Sequence, residues 1–155
     1  MPSRVRPTGD AVFKKIAVAF DESPEAERAF RSALELAKFA SAELFLVTVI
    51  EAFPAYIGYV SAAAPDVTRV LVSERRSFYE DLQKKARLHA AEAGVSIHTE
   101  LAEGSEVATI VSVVQSVDPD LLVVGLHRHA SDLQIFGGTV HQLALHVQCN
   151  ILGIH

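Results

Sequence analysis

The residues best suited to hold an anion are gathered between Asp120 and Thr139. Residues 121–124 form an unbroken apolar run that ends in two valines, the pattern of a strand buried on both faces of a parallel sheet. The run stops at Gly125, and a polar loop with His127, Arg128 and His129 follows. Gly137, Gly138 and Thr139 then precede a periodic segment, residues 140–147. Glycines let a ligand approach the backbone. The start of a helix offers unpaired N–H groups and the positive end of its dipole. A second candidate is Asp21, which closes the first apolar strand. Its carboxylate suits either a ligand hydroxyl or the cap of the helix that follows. His127, His129, His141 and His146 are imidazoles that metals favour, but no cysteine partner or fixed ligand spacing accompanies them, so no metal site is assigned. Ser23, Ser105 and Ser131 read as caps or loop residues, with no nucleophile elbow and no paired carboxylates beside a general acid. The chemistry expected is therefore binding, with hydrolysis ranked last.

These residues need elements to position them, and the rest of the chain supplies a regular series. Residues 14–20 read as a short strand ending at Asp21. Ser23-Pro24 is a cap followed by proline at the first helical position, with Glu25 and Glu27 in the first turn. That helix runs to about Ser41 with Ala26, Ala29, Phe30, Ala33, Ala37 and Ala40 on one face. Residues 43–50 are a second strand, and 51–65 an apolar, irregular loop, long enough to be a lid or a contact surface. Asp66 caps a long helix reaching Ala93, with Val67, Leu71, Phe78, Leu82, Ala86 and Ala90 inward and Gly94 as its stop. Residues 96–101 are the third strand. Gly104-Ser105 opens a helix with Val107, Ile110, Val111, Val114 and Val117 inward, and Asp118-Pro119 breaks it. The strand at 121–124, a short helix at 138–147 and a last strand at 151–154 complete the series. Strict alternation implies an α/β fold with a parallel sheet, helices on both faces and right-handed crossovers.

The chain has 155 residues, enough for one domain with a sizeable core. Residues 1–12 carry Pro, Gly and Arg without periodicity and read as a flexible arm, leaving 13–155 as the folded domain. No apolar run approaches the roughly 18 residues needed to cross a bilayer. The N-terminal arginines are not followed by an apolar segment, so no secretory signal is read and a cytoplasmic protein is expected. One cysteine, Cys149, excludes an internal disulfide and reads as a small core residue. A net charge of −5 without a basic block argues against nucleic acid as a partner. An anionic ligand must then be held by local N–H groups, local cations or a metal ion.

With these segments in order, the chain resembles the universal stress protein family over nearly its whole length, residues 14–154. The resemblance rests on the first strand ending in Asp21 with Ser-Pro-Glu behind it, on Leu46-Val47-Thr48-Val49, and on Glu103-Gly104-Ser105. It also rests on residues 120–125 and on the ending Cys149-Asn150-Ile151-Leu152. The family's nucleotide motif is Gly, two residues, Gly, nine residues, Gly, then Ser or Thr. Here Gly125, Gly138 and Thr139 keep its spacing, and Arg128 stands at the second glycine.

The resemblance implies an open five-stranded parallel sheet of order 3-2-1-4-5, of the adenine-nucleotide alpha-hydrolase-like kind. Its ligand would sit at the switch point between the first and fourth strands. It implies ATP or a related adenine nucleotide, with Mg as companion ion. Asp21 would meet the ribose, the Val49 backbone would face adenine, and Ala19 and Val124 would also be nucleotide-binding. Gly125, Gly138, Thr139 and Val140 would hold phosphates, with His127 and Arg128 as accessory contacts. Arg128 admits two readings: a guanidinium paired with phosphate oxygens, or a side chain filling their space. The second makes the chain a dimeric interaction module without nucleotide. In either case the resemblance implies a homodimer paired through the last strand.

Overall fold

A computed structural model describes residues 12–127 and 138–155, and all structural statements concern those residues. The loop with Arg128, His129, Ser131 and Gly137 lies outside them, as does nearly all of the expected arm.

Five strands, β1 (Lys15–Ala19), β2 (Glu43–Ile50), β3 (Ile97–Glu103), β4 (Leu121–Gly125) and β5 (Asn150–Ile154), form one sheet in the order β3-β2-β1-β4-β5. Every pairing is parallel, with Val18 opposite Leu46 on one side and Val123 on the other. The helices are α1 (Pro24–Ala40), α2 (Tyr56–Ala63), α3 (Pro65–Glu92), α4 (Glu106–Val117) and α5 (Thr139–His146). Because side chains alternate across each strand, the sheet feeds two cores. On one face Ile16, Val18, Leu44, Leu46 and Val123 pack with Phe30 and the alanines of α1 and with Ala86 of α3. On the other, Ala17, Val47, Leu122 and Val124 pack with Ile110, Val113 and Val114 of α4 and Leu143 of α5.

Local signals set several boundaries. The Ser23 hydroxyl accepts from the Ala26 amide at 3.1 Å, and Pro24 follows it, so α1 starts where the sequence reading put it. Ser41 and Asp118 close α1 and α4 in the left-handed conformation. Asp120 clamps the near end of the sheet. Its Oδ2 accepts from the Lys14 and Lys15 amides at 2.7 and 3.0 Å, and its carbonyl accepts from the Asn150 side chain at 3.0 Å.

Three expectations are corrected. The segment 51–65 contains a helix, α2, so it is not irregular throughout. Asp66 lies in the first turn of α3, and Ala64 is the cap residue, with Pro65 at the first helical position. The inner stripe is also different: Val67, Leu71 and Phe78 are exposed, while Tyr79, Gln83, Ala86 and Ala90 are buried. Length explains this. A helix of 28 residues is about 42 Å long, whereas a seven- or eight-residue strand spans only about 25 Å, so the first half of α3 overshoots the sheet.

Candidate functional site

The order of strands reverses between β1 and β4. The connection from β1 runs through α1 over one face, while α5 packs on the other face. The carboxyl ends of β1, β2 and β4 therefore border a crevice that no helix fills, the usual ligand position of such sheets. A cleft of about 720 Å³ opens there. Ala19, Val47, Val49 and Val124 give it an apolar floor, with Ile110 of α4 and Leu143 of α5 beside them. Ala19, Asp21, Val49, Val124, Gly125, His127, Gly138, Thr139 and Val140 all line this one cleft. Arg128 lies outside the described residues.

Asp21 has a structural role here. Its Oδ1 accepts from the Ser23 amide at 2.8 Å, which holds the carboxylate at the crevice and orders the turn into α1. This serves capping without withdrawing the side chain from the cleft.

The two described motif glycines differ in their physical reason. A Cβ on Gly125 would lie 2.6 Å from the Glu25 carbonyl carbon and 2.8 Å from the Ala26 nitrogen. Glycine at 125 is therefore needed for the start of α1 to cross close over the end of β4, whatever else approaches it. Gly138 is the cap residue of α5 with φ −68° and ψ 163°, a conformation open to any residue, and a Cβ there would meet nothing within 4 Å. No packing in the described residues calls for glycine at 138. Among the described residues the space over its backbone is open.

The charges around the cleft are mixed and mostly acidic. Asp21, Glu22, Glu51 and Glu106 line it, facing Arg75, His127 and His141. His127 Nδ1 lies 3.4 Å from Glu25 Oε2. A backbone hydrogen bond, helped by Arg28 and His127, holds the Glu25 carboxyl below the ordinary range. Arg75 stacks its guanidinium 4.8 Å from the centre of the Phe53 ring. The Tyr79 hydroxyl donates to Glu22 at 3.0 Å, and burial raises its pKa above the usual 10.0. Glu106 is half-buried, and its Oε2 accepts from the Thr139 hydroxyl at 3.2 Å. Burial first, then the Glu51 and Asp21 carboxylates, push the Glu106 pKa up, against the Thr139 hydroxyl and His127.

Glu22, Glu51, Arg75, Tyr79 and Glu106 were not among the expected site residues. One signal was available: Glu51 directly follows β2, so the strand-end rule that found Asp21 applied equally to it. Glu106 reads in sequence as an acidic first-turn residue of a helix, and only folding brings it to Thr139. Among the described residues no group of three or more His, Cys, Asp or Glu side chains is arranged to hold a metal ion.

The family model of the Universal stress protein family matches residues 13–155. A universal stress protein of Methanocaldococcus jannaschii is 28% identical over 145 residues, 93% of this chain and 83% of that protein. Among solved structures, a universal stress protein in complex with cAMP superimposes with a TM-score of 0.66 at 23% identity, over 92% of this chain and 97% of its own. A universal stress protein family protein of Arabidopsis thaliana with AMP bound gives 0.64 at 20% identity, over 91% and 90%. At these identities the two structures bear on the fold.

Proposed function

The chain belongs to the universal stress protein family, and from that premise we propose that its cleft binds an adenine nucleotide as the input of a regulatory, non-catalytic protein. The observation that carries this is the convergence of Asp21, the apolar floor at Val49 and the open Gly138 backbone on one cleft of about 720 Å³. That volume is within the range usual for small-molecule sites, about 300–1,000 Å³. Asp21 accepts from the ribose hydroxyls, with Ala19 and Val124 beneath, and the Val49 backbone faces adenine. The amides at Gly125, Gly138, Thr139 and Val140 meet the phosphates, with His127 as an accessory donor. The relatives solved with cAMP and AMP support this choice of ligand class. Binding phosphate in the ground state does not by itself accelerate hydrolysis, so turnover is not assigned.

Calorimetric titration of the full chain with AMP, cAMP and ATP tests the reading. Saturable heat with a rise in melting temperature is expected, since ligand at about 100 times its dissociation constant stabilises by about 2.7 kcal/mol. No heat and no shift at millimolar ligand removes it.

The acidic lining favours a second reading, an interaction module of the same family without nucleotide, in which Arg128 takes the phosphate space. ATP binding gained by Arg128→Gly, and absent from the parent, selects this second reading. A homodimer paired through β5 is part of both readings. It is supported by the position of β5 at the sheet edge and by its half-buried Ile151, Leu152 and Ile154. Light scattering that gives the mass of one chain overturns it. A reducing, cytoplasmic setting is supported by the lone Cys149, whose thiol burial pushes up.

A further inference from the structure

We propose that Glu106 is a specificity-determining residue: its carboxylate stands where ligand phosphate would approach α5, so affinity falls as phosphate charge is added. The inference rests on the adenine-nucleotide reading and states which members of that class the cleft favours.

The geometry is specific. Glu106 is the first residue of α4 and Thr139 the first residue of α5, and the 3.2 Å bond between them joins the starts of the two helices. Among the described residues neither helix has a side-chain cap bond at its start. Glu106 thus supplies internally the negative charge that a helix start attracts from a ligand. It also occupies the Thr139 hydroxyl, which the family motif would direct to phosphate. Phosphate meeting the α5 amides must displace the carboxylate from Thr139 or lie beside it.

Among the described residues the surroundings offset this charge only in part. Asp21 and Glu22 face it from the turn after β1, and Glu51 from the end of β2. His127 after β4, His141 on α5, and Arg75 with Tyr79 on α3 complete the titratable and charged lining among the described residues. Two like charges about 4 Å apart cost roughly a fivefold loss of affinity even at the dielectric of water, and more in a half-buried site. Adenosine has no phosphate and escapes the penalty, AMP meets it once, and ATP meets it most strongly.

The test is calorimetric titration of adenosine, AMP and ATP, in EDTA, into the full-length parent and into Glu106→Gln. Glutamine keeps the size and removes the charge. The expected result is adenosine affinity unchanged within about twofold, AMP strengthened about fivefold and ATP strengthened further. A Gln variant that binds adenosine and ATP in the parent's ratio overturns the inference and leaves the adenine reading standing. Absence of binding by all three ligands to both proteins overturns the adenine reading, and this inference with it. Melting curves check the fold, and Glu106→Ala, which also removes the charge, provides the same ranking if the Gln variant melts early.

Discussion

Gly138 and Gly125 occupy matching places in one sequence motif, yet the structure assigns them opposite tolerances. Serine at 138 should stabilise the free protein. The backbone there, φ −68° and ψ 163°, nearly repeats that of Ser23, φ −72° and ψ 149°, whose hydroxyl caps α1. Among the described residues no side chain caps α5, and a Cβ at 138 meets nothing within 4 Å. The new cap contributes a few tenths of a kcal/mol, and the loss of glycine's freedom in the unfolded chain about 0.4–1 kcal/mol. The sum, about 1 kcal/mol, raises the melting temperature by roughly 2–4 °C for a chain of this size. The same Cβ stands in the space over the α5 amides, so AMP affinity should drop about tenfold or more with the loss of a backbone contact. Gly125→Ala should do the reverse to the fold. Its Cβ would press to 2.6 Å on the backbone of Glu25, an overpacking that costs about 1–3 kcal/mol. Differential scanning calorimetry of both variants, with AMP titrations of Gly138→Ser, gives the answer. A Gly138→Ser protein that binds AMP as tightly as the parent refutes the idea that a ligand approaches this backbone. A Gly125→Ala protein that melts with the parent refutes the close crossing of α1 over β4.

Three further outcomes follow from single contacts. Burial lifts the Glu106 pKa above its ordinary 4.5, so the folded protein holds that proton more tightly than the unfolded chain does. The associated stability is fully present below about 4.5 and is lost as pH rises through the higher folded value. Glu106→Gln should therefore gain melting temperature over the parent at neutral pH, with the gain closing as the buffer is taken toward pH 4. A constant difference across that range contradicts the assignment. Thr48 is fully buried, and its hydroxyl has no hydrogen-bond partner among the described residues. Thr48→Val should stabilise by about 1 kcal/mol in urea unfolding, and a loss of stability would reveal a partner for the hydroxyl. Asp120→Ala removes the acceptor of the Lys14 and Lys15 amides, and a cost of about 1–2 kcal/mol is expected in the same assay. An unchanged midpoint would show that the clamp at the near end of the sheet is idle.

The sequence alone determined most of the scaffold, because the signals that set it are local. Ser23-Pro24 fixed the start of α1, and apolar runs located every strand except β3, which a weak alternation marked, with the bounds of β2 read as observed. Strict alternation of strands and helices required a parallel sheet with helices on both faces. The order β3-β2-β1-β4-β5 came from the family resemblance, and the structure has that order. Asp21 and Gly125 were legible at strand ends and Gly138 and Thr139 at a helix start, while Val49 came from the family resemblance, and all five line one cleft. Tertiary structure alone decided what depends on distance through space. The exposed first half of α3 could not be read from its periodic apolar residues, since periodicity carries no measure of how far the sheet beneath extends. The steric need for glycine at 125 comes from α1, a hundred positions earlier in the chain. The bond from Thr139 to Glu106 spans 33 positions. Neither residue's local pattern contains the other, so their contact appears only when the starts of α4 and α5 are brought together.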